Sequence, residues 1–397
     1  MALPIARSPA LMPARPPVFV LAPDSFKGAL DAPGVCAALA AGLRRVWGDV
    51  VLRARPMADG GEGTLDTVLA ASGDDAHRHE LAVPGAAGDS VRAAYGILGA
   101  GPDRIAVIEV ATVVPITDPS AMARDVFARD TRGVGTLLRA LVDDGVRRFM
   151  VGLGGSSTND GGAGMLASLG LALADGNGAA IAPTPAGLAD LATVDASKLD
   201  PRLGECSITL MSDVNNPLCG PLGATAVFGP QKGVRPDDID RVDRRLARFA
   251  ALAEKAVGRE TAARPGAGAA GGLGFALQLI GAEPRSGSAA VAALIGLDAA
   301  LDGADWALTG EGRSDRQTLL AKAPFAVAQC ARARGVPVTL VSGAVDATAL
   351  PALGEVFAGA FALAPGPMDL ATSMARTGEL LADRAEQLAR VIAAARG

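Results

Sequence analysis

Residues 147–166 read RRFMVGLGGSSTNDGGAGML: an apolar run, a polar turn rich in glycine, then an apolar helical pattern. Six glycines fall between Gly152 and Gly164, where a tight strand-to-helix turn needs only one or two. A strand that runs through such a turn into a helix opens a βαβ unit. Successive backbone N–H groups, with the hydroxyls of Ser156, Ser157 and Thr158, form an anion cradle at a helix N-terminus. The same grammar recurs outward along the chain. VFVLAPDSFKG (18–28), VVLRARPMADGGEG (50–63), SITLMSDVNNP (207–217) and DWALTGEGRSD (305–315) each carry a short apolar run into a polar turn. Strands are expected over Val18–Ala22, Val50–Ala54, Arg104–Val110, Arg148–Leu153, Ser207–Met211, Thr225–Phe228, Asp305–Thr309, Pro337–Val341 and Val356–Leu363. Helical periods alternate with them, as over Pro33–Val46, Gly133–Asp144 and Ala323–Arg334. The class is α/β with a mostly parallel sheet.

The 397 residues exceed the roughly 250–300 that one core supports, so two domains are expected. Glycine- and proline-rich joints at Val83–Asp89 and Gly281–Gly287 divide the chain into a domain of 18–84 plus 284–397 and an inserted domain of 85–283. Residues 1–17 lack the apolar stretch of a secretory signal and read as a frayed tail. A net charge of −5 with 13 aromatics excludes a basic, aromatic-lined groove for a nucleic-acid polymer. The longest uncharged stretch, Pro265 to Ala282, carries six glycines and makes a poor membrane helix. Cys36, Cys206, Cys219 and Cys330 are scattered without a CxxC pair and read as reduced and cytoplasmic. The only histidines are His77 and His79, read as an edge-strand surface, so histidine-based triad hydrolysis is not expected. No Walker A loop is present, and GAGAAGGLG (266–274) follows no strand, so it reads as a close-packed helix start.

Ligands of open α/β sheets bind beyond the carboxyl ends of the strands. Asp24, Asp59, Asp160, Asp213 and Glu311 all occupy such positions and are expected at one crevice. Each alone is equally an N-cap; five together point to metal and phosphate. The chain has 32 arginines and five lysines, and three of those lysines, Lys27, Lys232 and Lys322, adjoin turn motifs. A compact ammonium suits a transferring phosphoryl group.

Taken together the motifs resemble the bacterial glycerate kinase family of the type that makes 2-phosphoglycerate. The resemblance runs through APDSFKG (22–28), ADGGEGT (58–64), GLGGSSTNDGGAGML (152–166), SDVNNPL (212–218), AVFGPQKG (226–233), GAGAAGGLG (266–274) and TGEGRSD (309–315). It implies two domains, one a flavodoxin-like three-layer sheet built from both chain ends and the other an inserted α/β domain. It also implies ATP- and magnesium-dependent phosphorylation of D-glycerate, a small-molecule substrate. On that reading Asp213 orients or deprotonates the hydroxyl, with Asp160 second, and Lys27 and Lys322 stabilise phosphoryl charge. Asp59, Glu311 and Asp315 are the magnesium candidates. Asp24, Ser25, Gly60, Gly61, Gly154, Gly155, Ser156, Ser157, Thr158, Asn159, Asn216, Lys232 and Arg313 contact substrate or phosphate. The chain departs from the family pattern at TVVPITD (112–118), at DTRGVG (130–135), and at Arg316 and Ala321, which stand where a small residue and a glycine are usual. Those departures keep open a kinase for another small hydroxy or sugar acid, and a silent hydroxy-acid-binding paralogue. Oligomeric state is left open by these motifs.

Overall fold

The computed structural model describes residues 15–320 and 322–396. The chain forms two compact units, Met1–Ala58 with Val291–Gly397, and Asp59–Ala290. Most of the tail expectation (residues 1–14) and the Ala321 substitution lie outside the described residues. Residues 15–17 are docked in the first unit: Arg15 pairs with Asp305 at 3.1 Å, and Val51 N–H donates to the Pro17 carbonyl.

The unit made from both chain ends has a five-stranded, all-parallel sheet. Across it run Gly359–Ala362, Val338–Ser342, Trp306–Thr309, Val18–Leu21 and Val51–Ala54. Numbered along this unit, the order is 2-1-3-4-5, that of flavodoxin-like doubly wound sheets. Parallel strands covered on both faces read as continuous apolar runs, and every residue of VFVL and VTLVS is buried. On one face Phe19, Leu21 and Leu308 pack with Val35, Leu39 and Leu43 of the helix Ala32–Arg44, and with Leu381 and Ala385 of the helix Thr377–Arg396. The helix Ala323–Arg332 packs against the central strands. Asp31 caps the helix Ala32–Arg44 by accepting from Gly34 N–H, the arrangement expected of an Asp N-cap followed by an early proline.

The unit Asp59–Ala290 holds a six-stranded mixed sheet ordered Glu283–Arg285, Ser207–Met211, Arg148–Gly152, Ile105–Glu109, Ser90–Leu98 and Ala76–Pro84. The first four strands are parallel; the last two form an antiparallel hairpin on one edge. That hairpin moves the expected domain boundary. Ala76 through Pro84 pair residue for residue with Leu98 through Ser90, so Val83–Asp89 is the end of a strand and the hairpin turn after it, and the division falls at Ala58/Asp59. Glu283–Arg285 likewise completes this sheet against Thr209–Met211, so the second division falls at Ala290/Val291 and not at Gly281–Gly287. Thr225–Phe228, expected as a strand, lies in the helix Ala224–Phe228; a four-residue apolar run does not distinguish the two states. Among the described residues no helix is long and apolar enough to cross a membrane.

The contact of the helices Ala32–Arg44 and Thr377–Arg396 depends on Gly42, where an added Cβ would lie 2.1 Å from the Ala382 carbonyl oxygen. Gly42→Ala is therefore expected to destabilise the protein by about 1–3 kcal/mol in chemical denaturation. Gly48→Ala, where a Cβ meets nothing within 4 Å, serves as the control, and equal midpoints for the two variants would contradict this packing.

Candidate active site

In the Asp59–Ala290 unit, the ends of the strands Arg148–Gly152 and Ser207–Met211 open onto a cleft of about 290 Å³. Asp59, Gly60 and Gly61 form one wall, Leu153 and Gly154 a second, and Met211–Val214 a third, with Ala269 and Ala270 completing it. The ADGG turn lies directly on the strand end: a Cβ on Gly152 would come within 2.6 Å of the Gly60 carbonyl oxygen, so glycine is what lets the two backbones meet. Asp59 accepts from Gly61 N–H at 3.0 Å. Asp213 accepts from Gly287 N–H at 3.2 Å and from the Ser286 side chain. Its carboxyl is held above the ordinary carboxylate value, chiefly by desolvation, with the like charge of Asp59 adding to the effect. The cleft thus brings together Asp59, Gly60, Gly61, Gly154 and Asp213 as the sequence led one to expect.

One element of the cleft, and one buried carboxylate behind the turn that follows Asp59, were not anticipated. The GAGAAGGLG segment lines the cleft through Ala269 and Ala270 instead of serving only as a helix start. Glu109, at the end of the strand Ile105–Glu109, is buried and accepts from the backbone N–H groups of Leu65 and Gly63. It caps the helix Thr64–Ser72, whose N-cap residue Gly63 has no side chain to do so. Burial pushes the Glu109 carboxyl up. The signal was present in IAVIEVA, a carboxylate inside an apolar run, where burial requires a hydrogen-bonding partner.

The loop behind the cleft is largely buried. Ser156, Ser157, Thr158, Asn159 and Asp160 are buried within the unit, whereas Gly154 and Gly155 face solvent. Asp160, expected as an alternative base, has no exposure and accepts from Thr131 N–H (2.9 Å), Thr131 Oγ1 (2.7 Å), Gly162 N–H (3.0 Å) and Gly164 N–H (3.1 Å). It fastens the loop to the chain around Thr131; burial sets its carboxyl up, to about 6, against these donors. Lys232, expected at phosphate, is 2% exposed, and its ammonium donates to Ser156 Oγ at 2.9 Å and the Thr158 carbonyl at 2.8 Å. Burial brings it down to about 7. Arg129 donates to the carbonyls of Ser157 and Lys232 at 2.9 and 3.0 Å. Asn159 Nδ2 donates to Thr225 Oγ1, and Asn216 Nδ2 is engaged by the Leu222 carbonyl. Ser157 Oγ donates to the Val114 carbonyl, so most of the polar groups of this part of the loop are engaged within the unit, while Thr158 Oγ1 and Asn159 Oδ1 are buried without a hydrogen-bond partner among the described residues.

In the other unit, the switch point of the 2-1-3-4-5 sheet lies between Val18–Leu21 and Trp306–Thr309. Their carboxyl ends are tied by Asp24 N–H donating to the Gly310 carbonyl. Half-buried Asp24 accepts from Ser25 N–H at 2.6 Å, and Lys27 is exposed on the same turn. Buried Glu311 accepts from Ser314 Oγ (2.9 Å) and Thr318 Oγ1 (2.6 Å) and pairs with Lys322 Nζ at 3.5 Å. Asp315 caps the turn Arg316–Leu319 by accepting from Gln317 N–H. Arg313 and Arg316 are exposed, Arg313 near Asp346 at 3.9 Å.

The magnesium candidates Asp59, Glu311 and Asp315 do not form a protein-only cage. Among the described residues no group of three or more His, Cys, Asp or Glu side chains is placed to hold a metal ion. Glu311 is committed to two hydroxyls and an ammonium, and Asp315 to a cap. The donor chemistry still fits a nucleotide-borne ion, since Mg²⁺ uses one or two carboxylates plus phosphate oxygens and Asp59 and Asp213 share one cleft.

Phosphoryl transfer asks for positioned charge and close backbone approach, with little covalent work for the protein. Carboxylates, ammonium groups and glycine turns at strand ends, with both histidines out on a hairpin edge, mark this chain as a kinase. Residues 19–393 match the Glycerate kinase family, and the chain belongs to that family. It is 39% identical over 376 residues to a glycerate kinase of Bacillus subtilis (strain 168), covering 94% of this chain and 96% of that one. It is 38% identical over 360 residues to a glycerate 2-kinase of Escherichia coli (strain K12), covering 86% and 93%. The crystal structure of a glycerate kinase 2 from Salmonella typhimurium LT2 superposes with a TM-score of 0.85 at 37% identity, over 96% of this chain and all of that one.

The buried Lys232 predicts a specific pH signature. Its folded value of about 7 lies below the ordinary 10.5, so between these values the unfolded chain binds more protons and this residue's contribution to stability grows as pH rises. Lys232→Met also strips a donor from Ser156 and Thr158, a loss of about 1–3 kcal/mol. The stability gap between wild type and Lys232→Met should therefore widen from pH 7 to pH 9.5; a gap that stays constant or shrinks would contradict the burial.

Proposed function

We propose that this kinase transfers the γ-phosphoryl group of ATP to the 2-hydroxyl of D-glycerate, giving 2-phosphoglycerate and ADP in a magnesium-dependent reaction. The observation that carries the reading is the cleft in which Asp213, its carboxyl held above the ordinary carboxylate value by desolvation, stands beside Asp59 among glycine turns. A carboxylate raised above its ordinary value takes a proton more readily than a free one. Asp213 takes the hydroxyl proton as the acceptor oxygen bonds to phosphorus and the bond to the ADP oxygen breaks. Asp59 is the carboxylate for magnesium, which when bound supplies charge neutralisation at the phosphates. Gly60, Gly61 and Gly154 leave room for the acceptor against backbone. The phosphoryl-charge roles of Lys27 and Lys322 rest on the family resemblance alone; within its own unit Lys322 is paired with Glu311. The 2-position follows the naming of the Escherichia coli relative, and a cytoplasmic setting accords with four free thiols.

A second reading, transfer to another small hydroxy acid, has one observation in its favour. The departing segment TVVPITD adjoins the exposed glycines: Pro115 bridges to Ser156, Ile116 N–H donates to the Gly155 carbonyl, and Ser157 N–H to the Val114 carbonyl. An altered strap here re-aims the loop bordering the cleft.

A coupled ADP-release assay across D-glycerate and four-carbon hydroxy acids, with and without magnesium, separates the readings. D-Glycerate is expected to give the highest kcat/KM, and a preference for a longer acid would favour the second. Asp213→Asn should lower turnover by about 10²–10⁴-fold while nucleotide still binds by calorimetry; full turnover would remove Asp213 from the reaction.

A further inference from the structure

Ala270 is the one non-glycine residue with a left-handed backbone among the described residues, at φ 52° and ψ 38°. An L-side chain is disfavoured there, and glycine meets the same conformation without cost. Both following positions are glycine, with φ 67° and 96°. They cannot relax: a Cβ on Gly271 would lie 2.0 Å from the Thr158 carbonyl oxygen, and one on Gly272 would lie 2.5 Å from Gly161 Cα. The Gly271 carbonyl is also held by Gly161 N–H at 2.9 Å. The turn is therefore fixed against the scaffold loop, and position 270 is locked in a conformation that favours glycine. Alanine stands there nonetheless, half-buried, in the wall of the cleft that contains Asp59, Gly154 and Asp213. Strain retained where a neighbouring structure over-determines it points to a use for the group that causes it.

We propose that Ala270 is a specificity-determining residue whose methyl group limits the size of the acceptor admitted to the cleft, holding it to a three-carbon hydroxy acid. The inference rests on the reading of this cleft as the acceptor site. Ala270→Gly removes one methyl group and keeps a backbone that glycine adopts freely, so folding is retained. A pocket difference of one carbon is worth about tenfold or more in discrimination.

The test compares kcat/KM for D-glycerate and D-erythronate in wild type and Ala270→Gly, with thermal denaturation of both and Asp213→Asn assayed in parallel. The ratio is expected to shift about tenfold toward D-erythronate, with a melting temperature equal to or above that of wild type. An unchanged ratio overturns the assignment, and a fall in melting temperature with that unchanged ratio would show that the methyl serves packing alone. When the ratio is unchanged, Asp213→Asn tells which reading has failed. If that variant is inactive, the cleft remains the acceptor site and only the role of Ala270 falls; if it turns over normally, the cleft itself is withdrawn.

Discussion

The ammonium of Lys232, 2% exposed, donates to Ser156 Oγ and the Thr158 carbonyl from inside the Asp59–Ala290 unit. Burying a charge is costly unless it is bonded, and here the partners are the loop that precedes the helix Ala163–Ser168. Asp160 fastens the next turn of the same loop through four donors, and Arg129 collects the carbonyl of Ser157 and that of Lys232 itself. With its polar groups drawn inward, the loop leaves only Gly154 and Gly155 facing solvent. The outward surface is bare backbone, which is what a small anionic substrate can approach most closely.

The same fixation explains the cleft's other walls. Gly271 can sit against Thr158 and Gly161 only because the loop does not move away, and Ala270 inherits its left-handed backbone from that contact. Glu109 fixes the start of the helix that follows the ADGGEG turn, while Asp59 accepts from Gly61 N–H within that turn.

Much of this was legible in the sequence because strand ends and glycine turns announce themselves locally. The flavodoxin-like unit follows from apolar runs such as VFVL and VTLVS that are buried on both faces. Asp59 and Asp213, singled out by the rule that ligands gather at carboxyl ends of strands, and Gly154, from the glycine-rich loop, line one cleft. What spacing does not supply is where the third dimension sends a polar side chain. Asp160 and Lys232 sit in turn motifs like those of Asp59 and Lys27, and spacing does not say which carboxylate faces a cleft and which faces Thr131. The boundary near residue 84 failed for a related reason: a glycine-proline joint looks the same whether it separates domains or turns a hairpin. Glu109 was passed over because a lone carboxylate in an apolar run has no motif, only an energetic demand for a partner.

If the loop is held from behind as described, its order precedes any ligand. Hydrogen exchange read by mass spectrometry on a peptide spanning residues 154–164 tests this most directly. Slow exchange in the ligand-free protein, little changed by adding nucleotide and glycerate, is the predicted result. Exchange within seconds that becomes protected only when ligands bind would show that the loop is ordered by its substrate, and would contradict the account.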